Sequence, residues 1–145
     1  MDETNNSIIL KDTFMTDGKT ASPLLTEDTK NLIIDIDGVI CEDIPNEEPE
    51  RMPGAYEIPR AKDIINAWYD KGHIITFFTA RTEETRKVTE TWLKKHGFKY
   101  HEVLFNKPRG GHYHYIDNAP IDSTRFEGCF DELLERTKNF PIKNK

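Results

Sequence analysis

Two short apolar runs, each followed by a stretch of helical period, constrain this chain most. Residues 31–36 of "NLIIDIDGVICED" are apolar up to a pair of acids, and "HIITFFT" (73–79) is apolar throughout. Runs of this length and composition predict strands buried on both faces. Between them Ala61, Ile64, Ile65 and Trp68 recur at helical spacing from Pro59, and Gly72 follows, which predicts a helix that starts at a proline and stops at a glycine. After the second run Thr82 is an N-cap candidate, with Glu83 and Glu84 where a helix dipole favours acids. Val88, Trp92 and Leu93 give that helix its apolar side, and Gly97 ends it. "YHEVLF" (100–105) and "YHYID" (113–117) predict a third and a fourth strand, and Phe130, Leu133, Leu134 and Thr137 a final helix near 130–138. Alternation of this kind predicts an α/β domain with a mainly parallel sheet.

Residues 1–30 are polar apart from Ile8-Ile9-Leu10, Phe14 and Met15, and read as an arm with one short strand at most. The body is residues 31–145. "CEDIPNEEPERMPGAYEIPR" (41–60), rich in proline and acid, reads as an irregular flap. A chain of 145 residues with net charge −6 can bury a core without staples and carries no general attraction for nucleic acid or acidic membranes. Cys41 and Cys129 show no ligand spacing, so two free thiols in a reducing cytoplasm are expected. No membrane-length apolar stretch and no signal-like N-terminus is seen.

In open parallel sheets ligands bind beyond the carboxyl ends of the strands. At those ends stand Asp35 and Asp37, then Thr79 and Arg81, then Lys107, then Asp117 and Asn118. Three neighbouring carboxylates repel one another unless a cation joins them. Mg²⁺ commonly takes one or two carboxylates and fills its shell with water and phosphate oxygens. A magnesium ion, a lysine and a threonine hydroxyl together suit a phosphoryl group. A carboxylate aimed at phosphorus opens the route to an aspartyl-phosphate, with a second acid to move the proton.

These residues resemble the four ordered motifs of the haloacid dehalogenase superfamily. "DIDGV" is similar to the first motif, "FFTAR" to the second, Lys107 in "FNKPRGG" to the third and "YIDNAP" to the fourth. The resemblance covers roughly residues 31 to 125. It implies a Rossmann-like, mainly parallel sheet with helices on both faces. It implies Asp35 as nucleophile, Asp37 as general acid/base, and Thr79, Ala80 and Lys107 as phosphate-binding. It also implies Mg²⁺ held by Asp35, the backbone carbonyl of Asp37, and Asp117. The fourth motif departs from the pattern. Its second member is either Asn118, orienting a metal-bound water, or Asp122. The gaps between motifs are too short for a cap domain, so the chain resembles the capless members, with the flap after strand one as local lid. An open site suits a larger substrate or a covering second subunit, which would make a homo-oligomer.

The resulting expectation is a Mg²⁺-dependent phosphomonoesterase for a small phosphorylated metabolite, a sugar phosphate or a nucleotide, with no membrane partner. Two alternatives stand beside it: a phosphatase of nucleic-acid 3′ ends, disfavoured by the acidic flap, and a non-catalytic phosphoryl-binding domain. Arg81 and Arg109 either touch the substrate or make surface pairs. His112 and His114 read as a surface or packed pair.

Overall fold

The computed structural model describes residues 24–137. The expectations for residues 1–23 and for residue 138 lie outside the described residues.

Three strands form one parallel sheet in the order β1 (Asn31–Ile34), β2 (Ile74–Phe78), β3 (Glu102–Leu104). Helix α1 (Ala61–Asp70) connects β1 to β2, and α2 (Arg86–Lys95) connects β2 to β3. Helix α3 (Phe130–Thr137) closes the described chain. The domain is α/β with a Rossmann-like parallel sheet, as the alternation of runs predicts. Among the described residues no helix is long and apolar enough to cross a membrane.

Register explains the burial. Leu32 pairs with Ile75, and Phe77 with Val103; all four side chains are buried. They join Ile64, Ile65 and Trp68 of α1, Trp92 and Leu93 of α2, and Phe130 of α3 in one core. The opposite face differs from expectation. Ile33 is 58% and Leu104 45% exposed, so these strands alternate in burial, as period-two geometry dictates where the described residues leave one face without cover.

Helix punctuation follows the residues that signalled it. Thr82 Oγ1 accepts the Glu84 N–H at 3.3 Å, capping a 3₁₀ turn, Glu83–Thr85, that leads into α2. Gly72 and Gly97 take positive φ just past α1 and α2, the left-handed stop that a Cβ disfavours. Helix α1 starts two residues later than its proline suggested, because Arg60 stands at its N-cap with φ 69°.

Two further expectations are corrected. Residues 41–58, expected as an irregular flap, are irregular apart from one 3₁₀ turn but are packed down. Ile44, Met52 and Ala55 are buried, and Pro49–Gly54 forms a 3₁₀ turn. Trp92 Nε1 donates to the Ala55 carbonyl at 2.9 Å. The Glu42 N–H bonds Tyr56 and the Ile58 N–H bonds Ile40. Burial of side chains the size of Ile44 and Met52 contributes about 1.5–3 kcal/mol each, so the segment is held down as a wall. The second correction is the fourth strand. Residues 113–117 are irregular and exposed, Ile116 by 83%. Gly110 and Gly111 turn the chain with φ of 83° and 68° just before them. Asp117 then accepts the Ala119 N–H and the Tyr115 hydroxyl, a local bonding pattern that competes with strand pairing.

Candidate active site

The first acidic pair leaves β1 on a tight turn. The Asp35 carboxylate accepts the Ile36 N–H at 2.8 Å. Val39 and Ile40 N–H groups both bond the Ile36 carbonyl, and the Gly38 N–H bonds Cys41. Gly38 has φ 83°, a left-handed conformation that strains any residue with a Cβ, so the turn calls for glycine.

The end of β2 meets the end of β3 through backbone bonds. Thr79 N–H donates to Leu104, Lys107 N–H to the Thr79 carbonyl and Asn106 N–H to the Arg81 carbonyl. Those bonds carry Lys107 to the acids. Its ammonium lies 3.1 Å from Asp35 Oδ1 and over the rings of Phe78 and Tyr113, at 5.4 and 5.2 Å from their centroids. Burial pushes the Asp35 carboxyl above its usual range and the Asp37 charge adds to this; Lys107 and the Ile36 N–H oppose the rise.

Asp37 faces a different cation. Arg81 Nε donates to Asp37 Oδ2 at 2.9 Å and Nη2 to Oδ1 at 2.7 Å. Arg81 is 2% exposed, so this is a buried fork-shaped pair and no surface contact. Each acid of the "DID" motif thus has its own cation.

Asp35, Asp37, Ala80 and Lys107 line one cleft of about 270 Å³, together with Asp43, Asn46, Arg109 and Tyr113. Asn46 Nδ2 donates to the Ala80 carbonyl at 2.9 Å, which ties the wall to the end of β2. Arg109, which lines the cleft, lies 3.4 Å from the exposed Glu47. Nothing in the local sequence marks Asn46 or Tyr113 as site residues; both arrive through tertiary packing.

Other expected members lie elsewhere. Thr79 is fully buried, and its hydroxyl accepts the Arg81 N–H at 3.1 Å; it stands behind the cleft and does not line it. Asp117 and Asn118 are exposed and are not among the cleft's lining residues. Asp122 lies 3.4 Å from Lys30. Among the described residues no group of three or more His, Cys, Asp or Glu side chains could hold a metal. Asp117, expected to join Asp35 and the Asp37 backbone carbonyl around Mg²⁺, does not line the cleft, so the expected donor set is not assembled in this arrangement.

A family model described as the LNS2 domain of PITM 1-3 matches residues 32–114, more than half of the chain. The match ends before Asp117. No curated protein matches the chain. Solved structures of similar outline include a crystal structure from Vibrio cholerae, 23% identical, covering 61% of this chain and 80% of that one with a TM-score of 0.47. Two structures of the Pnkp1/Rnl/Hen1 complex, one described as an RNA repair complex, are 19% and 18% identical. They cover 62% and 63% of this chain, with TM-scores of 0.48 and 0.49. This chain spans 31% and 30% of theirs. On the family match, the chain belongs to the LNS2 domain family and shares its haloacid dehalogenase-like phosphatase fold.

Proposed function

We propose that the chain is a capless phosphomonoesterase of the haloacid dehalogenase type, acting on a small phosphorylated metabolite, either a sugar phosphate or a nucleotide. The observation that supports it is Asp35 at 3.1 Å from Lys107 in a cleft it shares with Asp37. In this reading a carboxylate oxygen of Asp35 attacks phosphorus, and the bond from phosphorus to the ester oxygen breaks. Lys107 stabilises charge on the transferring phosphoryl oxygens. Asp37 delivers the proton to the departing oxygen and later takes one from the water that attacks phosphorus, as the bond from phosphorus to the Asp35 oxygen breaks and frees phosphate. Arg81 occupies both Asp37 oxygens, so proton delivery requires one of those two bonds to exchange. A volume of about 270 Å³ suits a phosphoryl group with a small leaving group, below the usual range for drug-sized ligands. Mg²⁺ dependence belongs to the proposal. It requires Asp117 to leave its bonds to Tyr115 and Ala119 and approach the two acids.

A second reading is a phosphoryl-binding domain without turnover. The capture of Asp37 by Arg81 and the outlying position of Asp117 favour it. The test is phosphate release from a panel of sugar phosphates, nucleotides, an aryl phosphate and a 3′-phosphorylated oligonucleotide. It is run with Mg²⁺ and with chelator, on wild type and Asp35→Asn. Turnover that needs Mg²⁺ and disappears in Asp35→Asn supports the enzyme, and the best substrate identifies its class. Binding of inorganic phosphate without release from any ester selects the second reading.

A further inference from the structure

Arg81 is the most buried cation near the cleft, and the mechanism proposed above gives it no step. Its backbone is fixed at both polar groups. The N–H donates to Thr79 Oγ1 at 3.1 Å, and the carbonyl accepts the Asn106 N–H at 2.8 Å. Its guanidinium is fixed at three nitrogens. Nε and Nη2 grip Asp37, and Nη1 donates to Thr89 Oγ1 at 2.9 Å. Nη2 also lies 3.8 Å from Cys41 Sγ. Thr89 belongs to α2 and is 1% exposed. With 2% of its own surface exposed and its donors engaged, Arg81 has little left to offer a substrate.

We propose that Arg81 is a positioning residue, which fixes the rotamer of Asp37 against α2 through Thr89 and so sets where Asp37 can meet a reacting oxygen. A planar fork suits this task and an ammonium does not. The fork matches both carboxylate oxygens and keeps a third direction for Thr89, whereas lysine is a point charge on a flexible stem. Removing the guanidinium leaves Asp37, whose side chain is 15% exposed, without the partner that engages both its oxygens. Loss of Thr89 Oγ1 leaves the fork on Asp37 but frees it to rotate. The activity part of this inference rests on the phosphomonoesterase reading; the stability part does not.

The experiment has two arms. The first is a double-mutant cycle on urea unfolding with Arg81→Met, Asp37→Asn and the pair. Direct linkage predicts that the double variant loses clearly less than the sum of the singles; additive losses overturn the contact itself. The second arm measures kcat and KM on the best substrate of the panel. Thr89→Val, the mildest change, should lower kcat several-fold with KM within about twofold. Arg81→Lys should lower kcat at least tenfold and fail to restore it, while millimolar guanidinium added to Arg81→Ala should recover part of it. Full activity in Arg81→Lys, or a loss confined to KM, overturns the positioning role. If wild type releases no phosphate from any ester, the phosphomonoesterase reading fails. The positioning role in catalysis then fails with it, and the stability cycle still decides whether Arg81 holds Asp37.

Discussion

Mild acid should weaken this fold well before its carboxylates titrate, because of two buried histidines on either side of β2. His73 is 2% and His101 5% exposed. The Lys30 N–H donates to His73 Nδ1 and the Ile75 N–H to His101 Nδ1, both at 3.1 Å. Each ring is therefore held as the neutral tautomer with its proton on Nε2. Burial pulls both pKa values below the usual histidine range, and for His73 the charges of Lys71 and Lys30 act in the same direction. The sign follows. Between the lowered native pKa and the unfolded value of about 6.5, the unfolded chain carries a proton that the native chain refuses. Stability is thus complete above about pH 6.5 and declines as the pH falls toward the native pKa. Each histidine contributes a slope of at most about 1.4 kcal/mol per pH unit, so at pH 5.5 the two together remove up to about 3 kcal/mol. That is a large share of an ordinary domain's stability of about 5–15 kcal/mol. The assay is urea unfolding at pH 7.5, 6.5 and 5.5, followed by the fluorescence of Trp68 and Trp92, both buried. The midpoint should fall with pH at constant m-value. His101→Asn, which keeps an acceptor and cannot titrate, should remove about half of the fall. A midpoint that stays level or rises from pH 7.5 to 5.5 would refute the reasoning.

Three further outcomes are expected. Gly38→Ala, at φ 83°, should cost about 1–2 kcal/mol in thermal unfolding. Trp92→Phe leaves the Ala55 carbonyl without its donor and should cost about 1–3 kcal/mol; limited proteolysis should then cut residues 45–55 faster than in wild type. Lys107→Met removes the cation 3.1 Å from Asp35; calorimetry should find inorganic phosphate bound at least tenfold more weakly, as the loss of a charge-assisted bond of about 1.5–3 kcal/mol requires.

Local signals carried much of this fold. Thr82, Gly72 and Gly97 fixed helix ends because capping and positive φ are properties of a residue and its immediate neighbours. Asp35, Asp37, Ala80 and Lys107 converged because short parallel strands end together. What stayed illegible depends on distant partners. Nothing near Arg81 says that it reaches across 44 residues to Asp37 while Arg109 stays at the opening. Residues 41–58 look broken by their prolines, yet Trp92, 37 residues beyond Ala55, pins them. The alternation in "YHYID" is real, but a strand exists only with a neighbour. Asp117 bonds its own turn and residues 113–117 pair with no strand among the described residues.

Cys41 turns the site into its own chemical clock. The thiol is 1% exposed, beside Asp37 and Arg81, and its Sγ lies 3.3 Å from the Glu42 carbonyl. Burial and the Asp37 charge push its pKa up to about 12. At pH 8 roughly one native molecule in ten thousand then presents the thiolate that alkylating reagents attack. Labelling of Cys41 therefore counts the moments when the wall lifts from the acids, and partly buried Cys129 supplies a comparison rate within the same chain. The ratio of the two rates compares opening at this one place with opening around Cys129, without any substrate.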